Sequence, residues 1–312
     1  PLEKARGKEE IGIAPIRDER FDKLVAMYNP KKKVPATIEF IVLPKIEKES
    51  IKGGEAFKAI LKVDAILHVV RAFKDDSVFH IEGSVNPKRD IEIVDGELIL
   101  NDLIFVEKRL ERLEKDLKGK KDPLKEKEKE LLLRIKISLE KNLPLRKFEL
   151  NEEERKILTA LEFLTRKKIV VALNVGENDL KNNQISDEII TAYKDRDLSV
   201  MMLSAKVEKE LEIFESDADK KSFMDELGIK ESALSKLTKL CLEALGLMSF
   251  FTVGLDEVRQ WTLRKNSTAP EAAGAIHSDL QRGFIRAEVI KYKDLIELGS
   301  EDKVKTSGKL LI

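Results

Sequence analysis

Two stretches of the chain place polar side chains directly after an apolar, β-type run. The first is residues 171–179 (VALNVGEND), and the second is residues 198–205 (LSVMMLSA), which Lys206 follows. In open α/β sheets, ligands bind beyond the carboxyl ends of the strands. An asparagine amide suits an adenine edge, and an acidic group accepts from ring or exocyclic N–H groups. The two loops together are therefore candidates for a nucleotide-base site, although turn and cap chemistry alone also explains Asn, Gly and Glu in such loops.

The composition describes a globular chain without an overall charge signal. Hydrophobic residues make up 42% of the 312 residues, and 58 basic residues balance 58 acidic ones. Net charge therefore gives no argument for nucleic-acid binding, and any such site must be a local patch. The single cysteine, Cys241, excludes an internal disulfide and favours a reducing, cytoplasmic location. No apolar run is long enough for a membrane span, and the three histidines are too scattered to predict a metal site.

Apolar runs alternate with helical sequence, which predicts an α/β fold with a mostly parallel sheet. The predicted strands are residues 10–16, 36–43, 64–73, 168–175 and 198–205. The predicted helices of this part are residues 18–28, 151–167, 206–218 and 231–245, the second of them capped by Asn151. From residue 247 onwards, short strand and helix patterns mix, and we expect a small α+β domain there.

A helical hairpin is predicted to interrupt the α/β pattern. Apolar residues follow one another in steps of four and three, as in a coiled-coil seam, at Ile99, Leu103, Val106, Leu110, Leu113 and Leu117. Gly and Pro break the pattern at residues 119–123, and a second Leu-rich helix covers about residues 124–143 before Pro144. We therefore predict an antiparallel coiled-coil insertion at residues 96–150. It divides a nucleotide-binding domain, residues 1–95 and 151–246, and the last domain comprises residues 247–312.

Long stretches of the chain resemble the YchF branch of the Obg-like ATPases, which belong to the translation-factor class of P-loop GTPases. The most specific is APEAAGAIHSDLQRGFIRAEVI, which is similar to the C-terminal TGS domain of that family. Further matching stretches are residues 11–24, 32–40, 64–87, 90–113 and 248–300. The resemblance implies a P-loop NTPase-like sheet with a coiled-coil insertion, and a ubiquitin-like TGS domain whose last strands lie beyond Ile312.

The resemblance also implies roles for particular residues. This family reads NxxE where ordinary G-proteins read N/TKxD, and it prefers ATP, which it hydrolyses with Mg²⁺. Asn174 and Glu177 match that motif, and Val175 falls where the family makes a main-chain contact to the base. The family's second base-side loop is matched by Ser204, Ala205 and Lys206. Its catalytic histidine, which lies in a mobile loop, is matched by His80, although the residues alone are equally compatible with an inert surface histidine.

The phosphate-binding elements of the family are not found in the sequence. No G-x-x-x-x-G-K-[S/T] occurs. In the D-x-x-G element, Val42 stands where the Mg²⁺-side Asp is expected, and Lys45 stands where the γ-phosphate Gly is expected. Either these elements lie in chain outside this sequence, or the chain is a truncated or degenerate member. We favour the first, because the family's first strand is central and its loss would leave apolar strand edges uncovered.

The expected function is therefore an ATP-binding and ATP-hydrolysing switch that contacts the ribosome or RNA through the hairpin and the TGS domain. The Lys-rich tip of the hairpin, residues 118–129, suits phosphate contacts, although its interleaved acidic residues also fit a solvated coiled coil. One alternative is a non-catalytic RNA- or ribosome-binding protein with a degenerate nucleotide site. A GTPase is a weaker alternative, because Glu177 stands in place of the guanine-selecting Asp.

Overall fold

The computed structural model describes residues 10–43, 55–119 and 121–312, which form two compact units. The larger unit is built mainly from residues 41–245, and the smaller one from residues 13–40 and 246–312. In the described part of the chain, no helix is both long enough and apolar enough to cross a membrane.

The strands are β1 (Glu10–Pro15), β2 (Lys32–Val34), β3 (Thr37–Val42), β4 (Ala65–Arg71), β5 (Lys168–Asn174), β6 (Leu198–Leu203), β7 (Leu247–Thr252) and β8 (Glu257–Arg264). The helices up to the end of the larger unit are α1 (Glu19–Tyr28), α2 (Glu55–Lys62), α3 (Pro87–Leu117), α4 (Pro123–Glu140), α5 (Glu152–Thr159), α6 (Gln184–Ala192), α7 (Ala205–Leu211), α8 (Asp217–Glu226) and α9 (Ala233–Ala244). The last helices are α10 (Ala269–Ile276), α11 (Ser278–Arg282), α12 (Tyr292–Leu298) and α13 (Glu301–Thr306).

A parallel sheet with the order β4-β5-β6 forms the centre of the larger unit. The register pairs Arg71 with Asn174 and Asn174 with Leu203, so all three strands end at one carboxyl edge. In β5, every residue from Ile169 to Leu173 is at most 3% exposed, as expected for a central strand covered on both faces. The prediction of a mixed α/β fold with a parallel sheet is confirmed.

Helices α3 and α4 form an antiparallel pair whose apolar seam includes Val106, Leu113 and Ile135, each at most 1% exposed. Ion pairs cross between the helices at Arg109–Glu128 (2.7 Å), Lys125–Asp116 (2.8 Å), Lys129–Glu114 (3.2 Å) and Lys136–Glu107 (2.9 Å). In three of these pairs α3 supplies the acidic residue and α4 the basic one, and in the Arg109–Glu128 pair the roles are reversed, so the mixed charges of the predicted hairpin pair across it.

The predicted start of the insertion at residue 96 falls inside a continuous helix. Asn86 caps α3 by accepting from the N–H of Arg89, and Pro87 occupies the first turn. The first turns of α3 bury Ile91 and Leu98 in the core of the sheet, and only the later turns pack against α4. The coiled-coil pattern therefore marks the second part of a longer helix.

Other helix boundaries also differ from the prediction. Asn151 caps α5 in a capping box with Glu154, as predicted, but α5 ends at Thr159 instead of residue 167. Beyond it, the buried carboxylate of Asp102 accepts from the N–H groups of Leu164 and Thr165, which holds this segment in a 3₁₀ turn. The predicted helix at residues 206–218 likewise differs, because α7 ends at Leu211 and only the start of α8 falls in that range.

Two titratable groups, the buried Asp102 and the half-buried His68, are expected to give opposite pH dependences of stability. Burial raises the pKa of Asp102 to about 6 and lowers the pKa of His68, on β4, to about 4. Because its pKa is raised, Asp102 contributes most to the free energy of unfolding below about pH 4. About 3 kcal/mol of that contribution is lost as the pH rises from 4 to 6. The lowered pKa of His68 makes stability fall as pH drops from about 6.5 to 4.

Urea unfolding between about pH 4.5 and 7.5 tests these two pH dependences of stability. The stability advantage of the wild type over Asp102→Asn should shrink as pH rises through this window. His68→Gln is the comparison of opposite sign. The wild type should lose stability on acidification as His68 becomes protonated, and this variant should not show that loss. Parallel stability curves for the wild type and Asp102→Asn would contradict the assignment.

The smaller unit is built on the mixed sheet β2-β8-β7, in which β2 is parallel and β7 antiparallel to β8. Helix α1, capped by Asp18, buries Phe21 and Leu24 in a core that also contains Val258, Leu295 and Val304. The predicted domain boundaries therefore differ from these units, because residues 13–40 lie with the C-terminal part. The pairing of Lys32 with Glu257 joins strands that are far apart in the sequence. Such a pairing leaves no local sequence pattern from which it could be predicted.

Candidate functional site

The two polar loops selected from the sequence meet at the carboxyl edge of the sheet. β5 and β6 are neighbouring parallel strands, and the N–H of Val175 continues their ladder by donating to the carbonyl of Leu203 (2.8 Å). The side-chain Oδ1 of Asn174 accepts from the N–H of Ala205 at 3.0 Å. Asn174 therefore braces one loop against the other, and its amide nitrogen remains to donate to a ligand acceptor such as a purine ring nitrogen.

Glu177 and Lys206 extend this brace towards solvent. The Lys206 Nζ lies 3.8 Å from the Glu177 carboxylate and 4.0 Å from that of Glu210, and the side chains of Lys206 and Glu177 are 73% and 39% exposed. An exposed pair of this kind contributes little to stability. Its carboxylate and ammonium can instead accept from and donate to a ligand. Ser204 and Val175 are each 3% exposed, so their side chains pack beneath the loop surface and do not face solvent.

The end of β4 completes the edge with residues that sequence reasoning missed. The N–H groups of Ala72 and Phe73 both donate to the carbonyl of Asn174, at 2.8 and 3.1 Å. The guanidinium of Arg71 lies 4.6 Å from the Phe73 ring centroid and donates to the carbonyls of Phe73, Asp75 and Val78. A cation and an aromatic residue at the end of an apolar strand were the only available signals for this arrangement.

His80 lies in the loop between β4 and α3. Its Nδ1 accepts from the N–H of Glu82 at 3.2 Å, and its Nε2 lies 3.2 Å from the carboxylate of Asp90. The imidazole is 12% exposed. The described contacts of His80 thus belong to its own loop and to the first turns of α3.

The described residues do not supply a magnesium ligand at the position that the resemblance assigns. The side chain of Val42 has no donor atom, and no cluster of three or more His, Cys, Asp or Glu suited to a metal occurs in the described ranges. Lys45 and the glycine pair Gly53–Gly54 lie outside the described residues.

Comparisons with known proteins agree with the sequence pattern. The family model YchF-GTPase_C, described as a protein of unknown function (DUF933), matches residues 247–312. The "Ribosome-binding ATPase YchF" of Bacillus subtilis (strain 168) is 41% identical over 307 residues, covering 96% of this chain and 83% of the relative. The chain belongs to the YchF and Obg-like ATPase family.

A further sequence relative and a solved structure of the YchF and Obg-like ATPase family support the same assignment. The "Obg-like ATPase 1" of Caenorhabditis elegans is 39% identical, over 94% of this chain and 76% of the relative. The solved structure of the Schizosaccharomyces pombe YchF GTPase superposes with a TM-score of 0.84 at 32% identity, covering 100% of this chain and 85% of that one. The fold and the family thus rest on nearly the whole chain.

Proposed function

We propose that the protein is an adenine-nucleotide-binding ATPase that acts as a ribosome-associated switch. The observation that carries the proposal is the bond from the Ala205 N–H to Asn174 Oδ1, because it joins two loops at the carboxyl edge where α/β folds bind ligands. The names of the relatives, which include ribosome-binding ATPase and Obg-like ATPase, support the same function. A cytoplasmic location follows from a ribosomal partner.

In this proposal, each predicted residue has a defined task. Asn174 donates to the base, Glu177 accepts from the exocyclic amino group of adenine, and the main chain at Val175 and Ala205 contacts the base. Ser204 supports the turn, and Lys206 lies beside Glu177 at its outer side. His80 orients the attacking water, for which a neutral imidazole is suited. ATP would carry Mg²⁺ on its phosphates, where the ion would neutralise charge.

The test of base selection is the variant Glu177→Asp in full-length protein. Aspartate is the residue of guanine-specific relatives, so the ratio of ATP affinity to GTP affinity should fall about tenfold. Glu210→Asp is the matched control, because Glu210 also faces Lys206 but lies on α7. Equilibrium titration with both nucleotides measures the ratio. An unchanged ratio in Glu177→Asp, or an equal change in Glu210→Asp, would reject this role of Glu177.

The helical pair α3–α4 is proposed to be a coiled-coil arm, and residues 247–312 a TGS domain, that together contact the ribosome or RNA. The exposed Lys118 and Lys121 at the turn between the helices suit phosphate contacts. In the last domain, Arg259 lies 4.4 Å from the ring centroid of Trp261, which stacks with Phe250. Such cation-aromatic surfaces occur in RNA-binding proteins.

The alternative of a binding protein with a degenerate nucleotide site is not favoured. The observation for it is Val42, whose side chain has no donor atom. Against it, the base-side loops keep a hydrogen-bonded brace that a decayed site would not require. The relatives that match nearly the whole chain also carry ATPase names.

A further inference from the structure

The loop between β4 and α3 is held from both of its ends by arginine side chains. At the strand end, Arg71 donates to the carbonyls of Asp75 (2.8 Å) and Val78 (2.8 Å). At the helix end, Arg89 donates to the carbonyls of Glu82 (3.3 Å) and Ser84 (2.6 Å). The loop has no regular secondary structure, and the arginine side chains supply the hydrogen-bond donors for its carbonyls. The backbone around His80 therefore has a defined conformation.

Within this loop, both nitrogens of His80 are engaged. Nδ1 accepts a hydrogen bond from the Glu82 N–H, which requires an unprotonated Nδ1. The ring proton of the neutral imidazole therefore sits on Nε2, which faces the Asp90 carboxylate at 3.2 Å. The side chains of His80 and Asp90 are only 12% and 17% exposed, so this contact is sheltered from water. In this arrangement, neither ring nitrogen is available to hold a water molecule for attack on a phosphate.

We propose that Asp90 is a positioning residue that holds His80 in a resting arrangement, and that hydrolysis begins only when the imidazole leaves Asp90. The inference rests on the proposed ATPase function and on the role of His80 in it. Departure frees the Nε2–H to hold a water at the carboxyl edge through a hydrogen bond. The resting arrangement keeps intrinsic hydrolysis slow while leaving the base-side loops ready to bind.

The position of Asp90 on α3 gives this contact a connection to the hairpin. α3 is one continuous helix from Pro87 to Leu117, and Asp90 lies at its start. Asp95, on the next turn, is tied to Arg146 and Arg196 at 2.5 Å each. A partner that tilts the hairpin moves this rigid helix about the Asp95 contacts and shifts Asp90 relative to His80.

The experiment compares Asp90→Ala, Asp90→Asn and Asp76→Asn in full-length protein. Asp90→Ala removes the carboxylate that Nε2 faces at 3.2 Å, and losing this partly buried contact should raise kcat for ATP hydrolysis about fivefold with KM unchanged. Asp90→Asn keeps an acceptor oxygen for Nε2–H and should stay near the wild type. Asp76→Asn removes an exposed carboxylate of the same loop and should have no effect.

A second measurement keeps the test independent of catalysis. The Glu82 N–H donates to His80 Nδ1 and the Gly83 N–H to the His80 carbonyl, so both amides report on the resting loop. Their hydrogen exchange should rise about tenfold in Asp90→Ala and little in Asp90→Asn. Unchanged exchange in Asp90→Ala would overturn the holding role, and an unchanged or lower kcat would overturn the resting-state role.

The variant His80→Ala separates this inference from the proposed function. If His80 orients the water, His80→Ala lowers kcat, and Asp90→Ala has no further effect in that background. If His80→Ala keeps the kcat of the wild type, the catalytic role of His80 fails and the resting-state role of Asp90 fails with it. A low kcat in His80→Ala together with an unchanged kcat in Asp90→Ala would overturn only the role of Asp90.

Discussion

Asn174→Ala is expected to weaken ATP binding about 100-fold in full-length protein without unfolding it. The substitution removes the acceptor of the Ala205 N–H and also the amide donor proposed to face the base. Two hydrogen bonds of about 1.5 kcal/mol each correspond to this factor. Isothermal titration with ATP measures the loss. The strands themselves are held by backbone bonds and apolar packing, so thermal unfolding should change by much less.

The matched control for this prediction is Asn183→Ala. Asn183 precedes α6 and makes no side-chain capping bond, so the same chemical change at this exposed position should leave ATP affinity intact. Equal affinities of Asn174→Ala and the wild type would contradict the assignment of the base site to the β5 and β6 loops.

Arg146→Met is expected to destabilise the protein by about 3–5 kcal/mol, the largest stability effect that we expect from a single substitution. The Arg146 side chain is fully buried, and it donates to Asp95 (2.5 Å) and to the carbonyl of Arg196 (2.7 Å). Removing it leaves the buried carboxylate of Asp95 with Arg196 as its remaining ion-pair partner. Urea unfolding at neutral pH measures the change in the free energy of unfolding.

The double variant Asp95→Leu/Arg146→Met identifies the cause of that loss. Removing the carboxylate together with Arg146 eliminates the underpaired buried charge, so the double variant should be much more stable than the sum of the two single changes predicts. Lys125→Met, at an exposed ion pair with Asp116, is the control and should cost less than about 1 kcal/mol. If the losses of unfolding free energy in the two single variants simply added up in the double variant, Asp95 and Arg146 would not form a coupled buried cluster.

The parallel sheet was predictable because its strands carry their signal locally. β4, β5 and β6 are apolar runs separated by helical sequence, and their order follows from the preference for neighbouring parallel strands. The same pattern placed Asn174 and Ala205 at one edge, since parallel strands end on the same side. The hairpin was predictable from its spacing of apolar residues, of which Val106, Leu110 and Leu113 are buried.

Polar contacts within a loop were not predictable in this way. The bonds of Arg71 to loop carbonyls and the contact of His80 with Asp90 depend on how a loop closes, which leaves no periodicity in the sequence. The predicted insertion begins at residue 96, inside α3, because the first turns of this helix face the sheet and only its later turns carry the coiled-coil seam. The association of residues 13–40 with the C-terminal part depends on strands distant in sequence.

The most direct test of the central claim is a titration of full-length, isotopically labelled protein with ATP and with GTP, followed at the backbone amides of Val175 and Ala205. These amides lie on the two loops that Asn174 joins. We predict that ATP shifts both resonances and saturates at a concentration about tenfold lower than GTP. Saturation by GTP at an equal or lower concentration, or ATP binding that leaves both amides unmoved, would contradict an adenine site at the carboxyl edge of the sheet.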